Sequence, residues 1–319
     1  MRSAAIVGVM RLGVLDVGST TVHLLVVDAH RGAEPTPQLS RNSVLRLAEH
    51  VDKHGQLEIE GADALVGAAL GARRQAKELG CDELLAFATS ALRDASNSVE
   101  VLKRVRTEAG VDLTVLSGDE EARLTFLAVR RWLGWSAGNL ICIDIGGGFL
   151  ELAAGPKEDP AVCLSVSLGA GRLTRDWLNG DPPSKAAVAA LREYAESEFT
   201  APAKKLLAGG PPDRVIGTSK TFRTLARLAG AAPSSAGPRV RRVLNGNGLR
   251  QITAFISRIS SADLAELDGV SPRRAHQTLA GAVVAAAAMD ALNIAEVELC
   301  PWALREGVIL RRLDQLTGY

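Results

Sequence analysis

The chain is short of the features that would point to several common functions. Aromatic residues make up 4% of its 319 residues, and no aromatic or polar base-reading motif stands out. Lys plus Arg, 37, nearly balances Asp plus Glu, 36, so there is no global charge to draw in a polyanion and no nucleic-acid partner is expected. Only four cysteines are present, Cys81, Cys142, Cys163 and Cys300, far apart and without a C-x-x-C pair. That pattern excludes a disulfide frame or a cysteine zinc site and reads as reduced, buried thiols in a cytoplasmic protein. No apolar run is long enough to span a membrane. The longest, Leu279 to Leu292, is alanine-rich, contains Asp290 and reads as a buried helix. Residues 1–9 lack the length and cleavage pattern of a signal peptide, and Met10-Arg11-Leu12 reads as an alternative start.

Against this background one phrase occurs twice. The first copy is Leu12-Gly13-Val14-Leu15-Asp16-Val17-Gly18-Ser19-Thr20-Thr21, and the second is Leu140-Ile141-Cys142-Ile143-Asp144-Ile145-Gly146-Gly147-Gly148-Phe149. Each is an apolar strand closed by an Asp, followed by a glycine turn and a second apolar run. An Asp at a strand end suits a divalent cation, directly or through water. Glycines just after it let backbone N–H groups close on phosphate oxygens. Two copies a domain length apart suggest two phosphate loops with a metal and a polyanionic phosphate.

The surrounding pattern is α/β. Leu12–Asp16 and Val22–Asp28 form a hairpin, with a third strand expected at Ser43–Ala48. A helix at Gly61–Leu79, a strand at Leu84–Ala88, a helix at Ser98–Thr107 and a strand at Asp112–Leu116 follow. Strands joined through helices imply parallel pairing. Ser117-Gly118-Asp119-Glu120 fits a capping box opening a helix to about Leu133, after which Gly134–Gly138 breaks the pattern. The second half restarts with strands Leu140–Asp144, Leu150–Ala154 and Val162–Ser167. Ser184–Leu207 is helical, Arg214–Gly217 is a strand, and Thr221–Leu228, Gly248–Ile259 and Pro272–Leu292 are helical. A strand Val297–Cys300 and a final helix Ala303–Leu316 close the chain. The expected organisation is a duplicated α/β domain, 10–136 and 137–319, with a cleft between the halves and the last helix packing back on the first.

These motifs resemble the exopolyphosphatase / guanosine pentaphosphate phosphohydrolase family. The resemblance rests on Leu15–Ser19, Ala88-Thr89-Ser90-Ala91-Leu92-Arg93-Asp94-Ala95, Ser117-Gly118-Asp119-Glu120-Glu121-Ala122-Arg123, Asp144–Glu151, Ile216-Gly217-Thr218-Ser219-Lys220-Thr221 and Arg305-Glu306-Gly307. It covers the chain from Met10 onward in the short, two-domain form. It implies two actin-like (ribonuclease H-like) domains with mixed five-stranded sheets, and a Mg²⁺-dependent phosphohydrolase in which Mn²⁺ substitutes. The implied ligand is inorganic polyphosphate or guanosine pentaphosphate, with no membrane partner. A homodimer is left open.

Phosphoanhydride hydrolysis needs charge neutralisation, an in-line water, an orienting base and a held chain. Asp144 is the first metal candidate, because a lone carboxylate closing an apolar strand is costly without a partner. Glu151, seven residues later on the returning strand, is placed to come back beside it, and the resemblance also assigns it to the site. The resemblance puts Asp16 beside the metal or its water shell, whereas on its residues alone it is equally a turn-forming Asp. Gly18, Ser19 and Thr20 form the first phosphate loop, and Gly146, Gly147 and Gly148 the second. Glu120 is accounted for by the capping box. Glu121 is not, and it matches the family's catalytic glutamate, which orients or deprotonates water. Arg93 resembles a phosphate-binding arginine. Thr218, Ser219 and Lys220 sit in a strand-to-helix turn suited to phosphate, and Arg274 matches a further phosphate ligand of the family. His50 and His54 read as part of a polar turn, not a metal pair.

The chain departs from the usual family pattern in four places. Phe149 stands where a small hydroxyl residue follows the glycines, Lys220 replaces a common Gly, His276 a usual Asp and Thr20 a common Asn. Phe149 favours a rival reading, a binding protein for polyphosphate or a guanosine alarmone without turnover. A sugar kinase fits less well, since no kinase-specific phrase accompanies the Glu121 segment. Arg239, Arg241, Arg242, Lys204 and Lys205 are either a guide for polyanion or solvated surface charge.

Overall fold

The computed structural model describes residues 9–30, 32 and 34–316; the leader reading of the first residues falls outside it up to residue 8. The strands are β1 Met10–Val17, β2 Thr21–Ala29, β3 Thr36–Val44, β4 Glu83–Ala88, β5 Thr114–Val115, β6 Leu140–Ile145, β7 Leu150–Gly155, β8 Val162–Val166, β9 Arg214–Gly217, β10 Val243–Asn245 and β11 Glu296–Leu299. The helices are α1 Ile59–Glu78, α2 Ser90–Arg93, α3 Ser98–Arg104, α4 Gly118–Leu133, α5 Ala170–Trp177, α6 Lys185–Leu206, α7 Lys220–Leu228, α8 Gly246–Ile256, α9 Ser261–Ala265, α10 Thr278–Ala291 and α11 Leu304–Leu316.

Two units result. The first takes the chain up to Gly118 and the stretch from Arg305 onward; the second is Asp119–Leu304. In the first, a five-stranded mixed sheet runs β3-β2-β1-β4-β5, antiparallel across the hairpins and parallel from β1 through β4 to β5. Leu65, Ala69 and Ala72 of α1 cover the face bearing Leu15, Val17, Val22 and Leu24. Arg312 of α11 pairs with Glu83 at 2.8 Å.

The second unit repeats this order as β8-β7-β6-β9-β11 and adds β10, antiparallel, beyond β11. Its sheet therefore has six strands, not five; the three-residue β10 is too short to leave a periodic signal. One face packs under α5, α6, α7, α8 and α10. The alanine-rich α10 is buried around its circumference up to Met289, as its apolar run requires, and only Asp290 and Ala291 at its end are exposed. The other face takes α4, through Ala122, Phe126 and Val129. The break at Gly134–Gly138 thus lies inside the second unit, because α4 packs against the second sheet.

Three arginines strap α4 to the β7–β8 hairpin. Arg123 pairs with Asp159 and Arg131 with Glu158, while the buried Arg130 donates to the carbonyls of Gly138 and Gly155 at 2.7 and 2.8 Å. The third strand of the first sheet runs earlier than its apolar residues suggest, over Thr36–Val44 instead of Ser43–Ala48. It is an exposed edge, where burial does not select apolar residues and Pro37 is tolerated.

Candidate functional site

Alternation along a strand decides which side chains reach the same surface. On β6, Ile141, Ile143 and Ile145 enter the large core with Leu150, Leu152 and Ala154 of β7. Cys142 and Ala153 point the other way, to the cluster beneath α4. Asp144 and Glu151 share that second face by period, and they are direct cross-strand partners. Glu151 is in turn opposite Ser165 of β8, whose hydroxyl donates to Glu151 Oε1 at 3.2 Å. Thr218, two residues beyond Ile216 of the same cluster, donates its hydroxyl to Asp144 Oδ2 at 2.6 Å. Glu121 lies in the first turn of α4 next to Ala122 and is 8% exposed. That face of the second sheet therefore carries Asp144 and Glu151, the latter also 8% exposed, and the helix packed on the same face carries Glu121.

Burial pushes the Asp144 carboxyl up, opposed by the Thr218 hydrogen bond and by the charges of Arg223 and Arg274. The folded protein thus holds the Asp144 proton more tightly than the unfolded chain. Its stabilising contribution is complete below the ordinary carboxylate range and is lost as pH rises through the raised value. In chelator, the stability of wild type relative to Asp144→Asn should fall over that window, and Thr218→Val should move the fall to higher pH. Urea titrations from about pH 4 to about pH 8 measure this; curves that stay parallel across the range would refute it.

The second glycine turn is closed by Gly146 N–H donating to Phe149 O at 2.9 Å. Its carbonyls are held from one side. Ala170 N–H donates to Gly146 O and Arg172 N–H to Gly147 O, both at 2.9 Å, and Arg172 Nε donates to Gly148 O at 3.1 Å. A trans peptide sets the next N–H opposite each carbonyl, so the amides of Gly147, Gly148 and Phe149 point away from α5. That is the arrangement of an anion-binding nest. Gly169 makes the approach possible: a Cβ there would overlap backbone atoms of Gly147, Gly148 and Phe149.

The first unit uses the same device. Ala48 N–H donates to Ser19 O at 3.0 Å, and Leu45 and Arg46 N–H donate to Thr20 O at 3.1 and 2.9 Å. Gly18 N–H closes the turn on Thr21 O. Asp16, like Asp144, lies on the face away from its unit's larger apolar cluster, but its cross-strand partner is His23, not a carboxylate. His23 is buried, with Nε2 at 2.8 Å from Ser40 Oγ. Arg93 ends α2, half-buried, with Nη1 donating to Leu116 O at 3.3 Å.

The third segment, at the N-terminus of α7, departs from a simple phosphate loop. Thr218 is fully buried and its hydroxyl serves Asp144. The Ser219 side chain caps α7 by accepting from Phe222 N–H at 3.3 Å. Around Lys220 lie cations: its pKa is lowered by lost hydration first, then by Arg274, Arg223 and Arg273. Arg223 Nη2 donates to Thr218 O at 2.9 Å. Sequence reasoning passed over Arg223, although it stands three residues after Lys220 on the same helix face. It also passed over Arg172, which only the tertiary fold brings to the glycine turn. The other basic residues are largely structural. Arg242 donates to the carbonyls of Ala232, Pro233, Gly237 and Val240, Arg241 pairs with Glu296, and Arg239 stacks on Trp132. Among the described residues the four cysteines form no disulfide, and no three His, Cys, Asp or Glu side chains gather as a metal cluster. Among them, no helix is long and apolar enough to cross a membrane.

The same architecture occurs in known proteins. "Exopolyphosphatase 1" of Mycobacterium tuberculosis is 60% identical over 305 residues, covering 96% of this chain and 89% of that protein. "Exopolyphosphatase 1" of Mycobacterium leprae is 59% identical, covering 96% and 90%. The solved structure of the Aquifex aeolicus Ppx-GppA enzyme superposes with TM-score 0.81 at 26% identity, over 95% of this chain and 100% of that one. An exopolyphosphatase from Cytophaga hutchinsonii gives TM-score 0.86 at 22% identity, over 96% and 98%, a likeness of fold. The fold is the actin-like α/β architecture, and residues 25–316 match the Ppx/GppA phosphatase family, to which this chain belongs.

Proposed function

We propose that the protein is an exopolyphosphatase that hydrolyses the terminal phosphoanhydride of inorganic polyphosphate and releases orthophosphate. The observation that carries this reading is the Asp144–Glu151 carboxylate pair beside a glycine turn with its carbonyls held back, with Arg223 and Arg274 near Asp144 and Lys220 near the same two arginines. The mycobacterial relatives named exopolyphosphatase 1 support the substrate class.

Two opposed carboxylates, with no third His, Cys, Asp or Glu gathered beside them among the described residues, suit Mg²⁺, which keeps several waters and binds through one or two carboxylates plus substrate phosphate. Asp144 and Glu151 would hold it, with Thr218 and Ser165 orienting their oxygens. A bound cation would also offset the desolvation of Asp144. When bound, the metal neutralises charge on the phosphoryl oxygens.

The rest falls to the chain's own groups. The amides of Gly147, Gly148 and Phe149 and the cations Lys220, Arg223 and Arg274 hold phosphate oxygens. Within the first unit, Asp16, Gly18, Ser19, Thr20 and Arg93 offer the corresponding acid, amides, hydroxyls and guanidinium. Glu121 orients a water and takes its proton as the water oxygen bonds to the terminal phosphorus. The P–O bond to the chain breaks, the bonding pair leaves with the shortened chain, and orthophosphate departs.

Malachite-green assays on polyphosphates of defined length test this. The expected result is Mg²⁺-dependent orthophosphate release with stepwise shortening by one unit. Internal fragments, or faster turnover of guanosine pentaphosphate run in parallel, would overturn it.

A further inference from the structure

Lys220 stands where the fold alone gives it no support. It is the first residue of α7, the end of a helix at which positive charge is unfavourable. Its side chain is exposed, yet neighbours strip part of its hydration, and Arg274, Arg223 and Arg273 lower its pKa further, with no carboxylate among the causes. Other arginines of the chain stand against acids, as Arg104 does with Asp63 and Glu108 and Arg241 with Glu296.

The four cations form two tiers. The inner pair, Arg223 and Arg274, is half-buried and acts on Asp144. Arg223 Nη2 donates to the carbonyl of Thr218, whose hydroxyl holds Asp144. The outer pair, Lys220 and Arg273, is exposed and is not among the charges felt by Asp144, while both inner arginines are felt by Lys220. Lys220 stays at the Asp144 end of the sheet, since the next residue, Thr221, donates its hydroxyl to Ile145 O at 3.0 Å. Positive charge therefore runs outward from the buried carboxylate to the surface.

We propose that Lys220 and Arg273 hold the phosphate units behind the terminal one, so that this outer pair makes the site select longer inorganic chains over short ones. The proposal rests on the polyphosphate reading. The terminal phosphoryl, beside Asp144, meets the inner arginines; each further unit adds a negative charge farther out, where the outer pair stands. Lysine grips phosphate as a point charge and arginine as a planar fork, and a uniform chain satisfies both in any register. A bound chain also offsets the mutual repulsion of the four cations, which no carboxylate does at Lys220.

The test is phosphate-release kinetics with Mg²⁺ and calorimetric binding, on inorganic tripolyphosphate and on a defined polyphosphate several units longer. The proteins are wild type, Lys220→Met, Arg273→Met, their double variant and a Lys204→Met/Lys205→Met control. Lys204 and Lys205 are exposed in the last turn of α6 and act on neither Asp144 nor Lys220. Wild type should bind the longer chain more tightly. Each single variant should cut the ratio of long- to short-chain affinity by about 3- to 10-fold, the worth of one exposed charged contact to phosphate. The double variant should multiply the two losses. The loss should appear in KM for the longer chain, and the slope of log affinity on log salt should fall by about one per cation removed. Both single variants should unfold at the same or a higher urea concentration than wild type, because one repelling charge is gone, which separates a binding loss from a folding loss. Equal wild-type affinity for the two chains, an unchanged ratio in both single variants, or an equal fall in the control would overturn the proposal. Wild type that prefers the longer chain but releases no phosphate sinks the hydrolase reading alone. Wild type that binds neither chain sinks both.

Discussion

Glu121→Gln is expected to lower polyphosphate turnover by about 10²- to 10⁴-fold while leaving tripolyphosphate affinity unchanged or tighter. Glutamine keeps the shape and hydrogen bonding of glutamate but cannot accept the proton that the attacking water must lose. Glu121 suits this test because its surroundings constrain it. It is 8% exposed and lies in the first turn of a helix whose next residue, Ala122, packs against the sheet that carries Asp144 and Glu151. The first turn of α4 also holds Asp119 and Glu120, so the Glu121 carboxylate stands in an acidic turn. Removing one negative charge can only ease the approach of a polyanion, so weaker binding is not expected. Single-turnover phosphate release with parallel calorimetry separates the two effects. A variant keeping more than about a tenth of wild-type turnover would remove Glu121 from the chemistry.

Gly169→Ala is expected to be the most damaging single methyl in the second unit. Gly169 has φ −71° and ψ 140°, a conformation alanine adopts freely, so the substitution introduces no backbone strain of its own. The cost is collision: the added carbon would overlap the backbone of Gly147, Gly148 and Phe149, which no rotamer change relieves. The expected loss is about 1–3 kcal/mol of stability, as for other overpacked interiors. Tripolyphosphate affinity should fall about tenfold or more, because the amides of the turn lose their common direction. Gly67→Ala, in α1 with open space around the added carbon, is the matched control and should be neutral or stabilising by up to about 1 kcal/mol. Denaturant curves and calorimetry on both variants decide the matter; equal behaviour would refute the collision argument.

The duplicated Asp–glycine phrase was legible because its function is local: strand, acid and turn lie within ten consecutive residues. The strand Arg214–Gly217 was legible in full, since its apolar run is bounded by a proline-rich break and a polar turn. Other elements were hidden for identifiable reasons. α5 begins inside Leu168-Gly169-Ala170-Gly171, where the glycines needed for contact with the second turn weaken the helical signal. The helix expected over Ser98–Thr107 is regular only to Arg104 and then widens into a π-turn through Ala109. Thr218 shows the limit of reading a site by residue type. A hydroxyl in a phosphate-like turn is here fully buried and bound to a carboxylate, and only the parallel pairing of β6 with β9 reveals that.

The two copies of the phrase share one framework and differ in what it carries. Seven residues after each Asp, on the returning strand, the first copy has His23 and the second Glu151. The hairpin, its register and the held-back turn carbonyls are common to both, so that framework needs no change for the copies to part company. The same hairpin thus serves either as a pair of facing carboxylates or as an acid facing an imidazole, and the single position seven residues after the Asp decides which charge the turn presents.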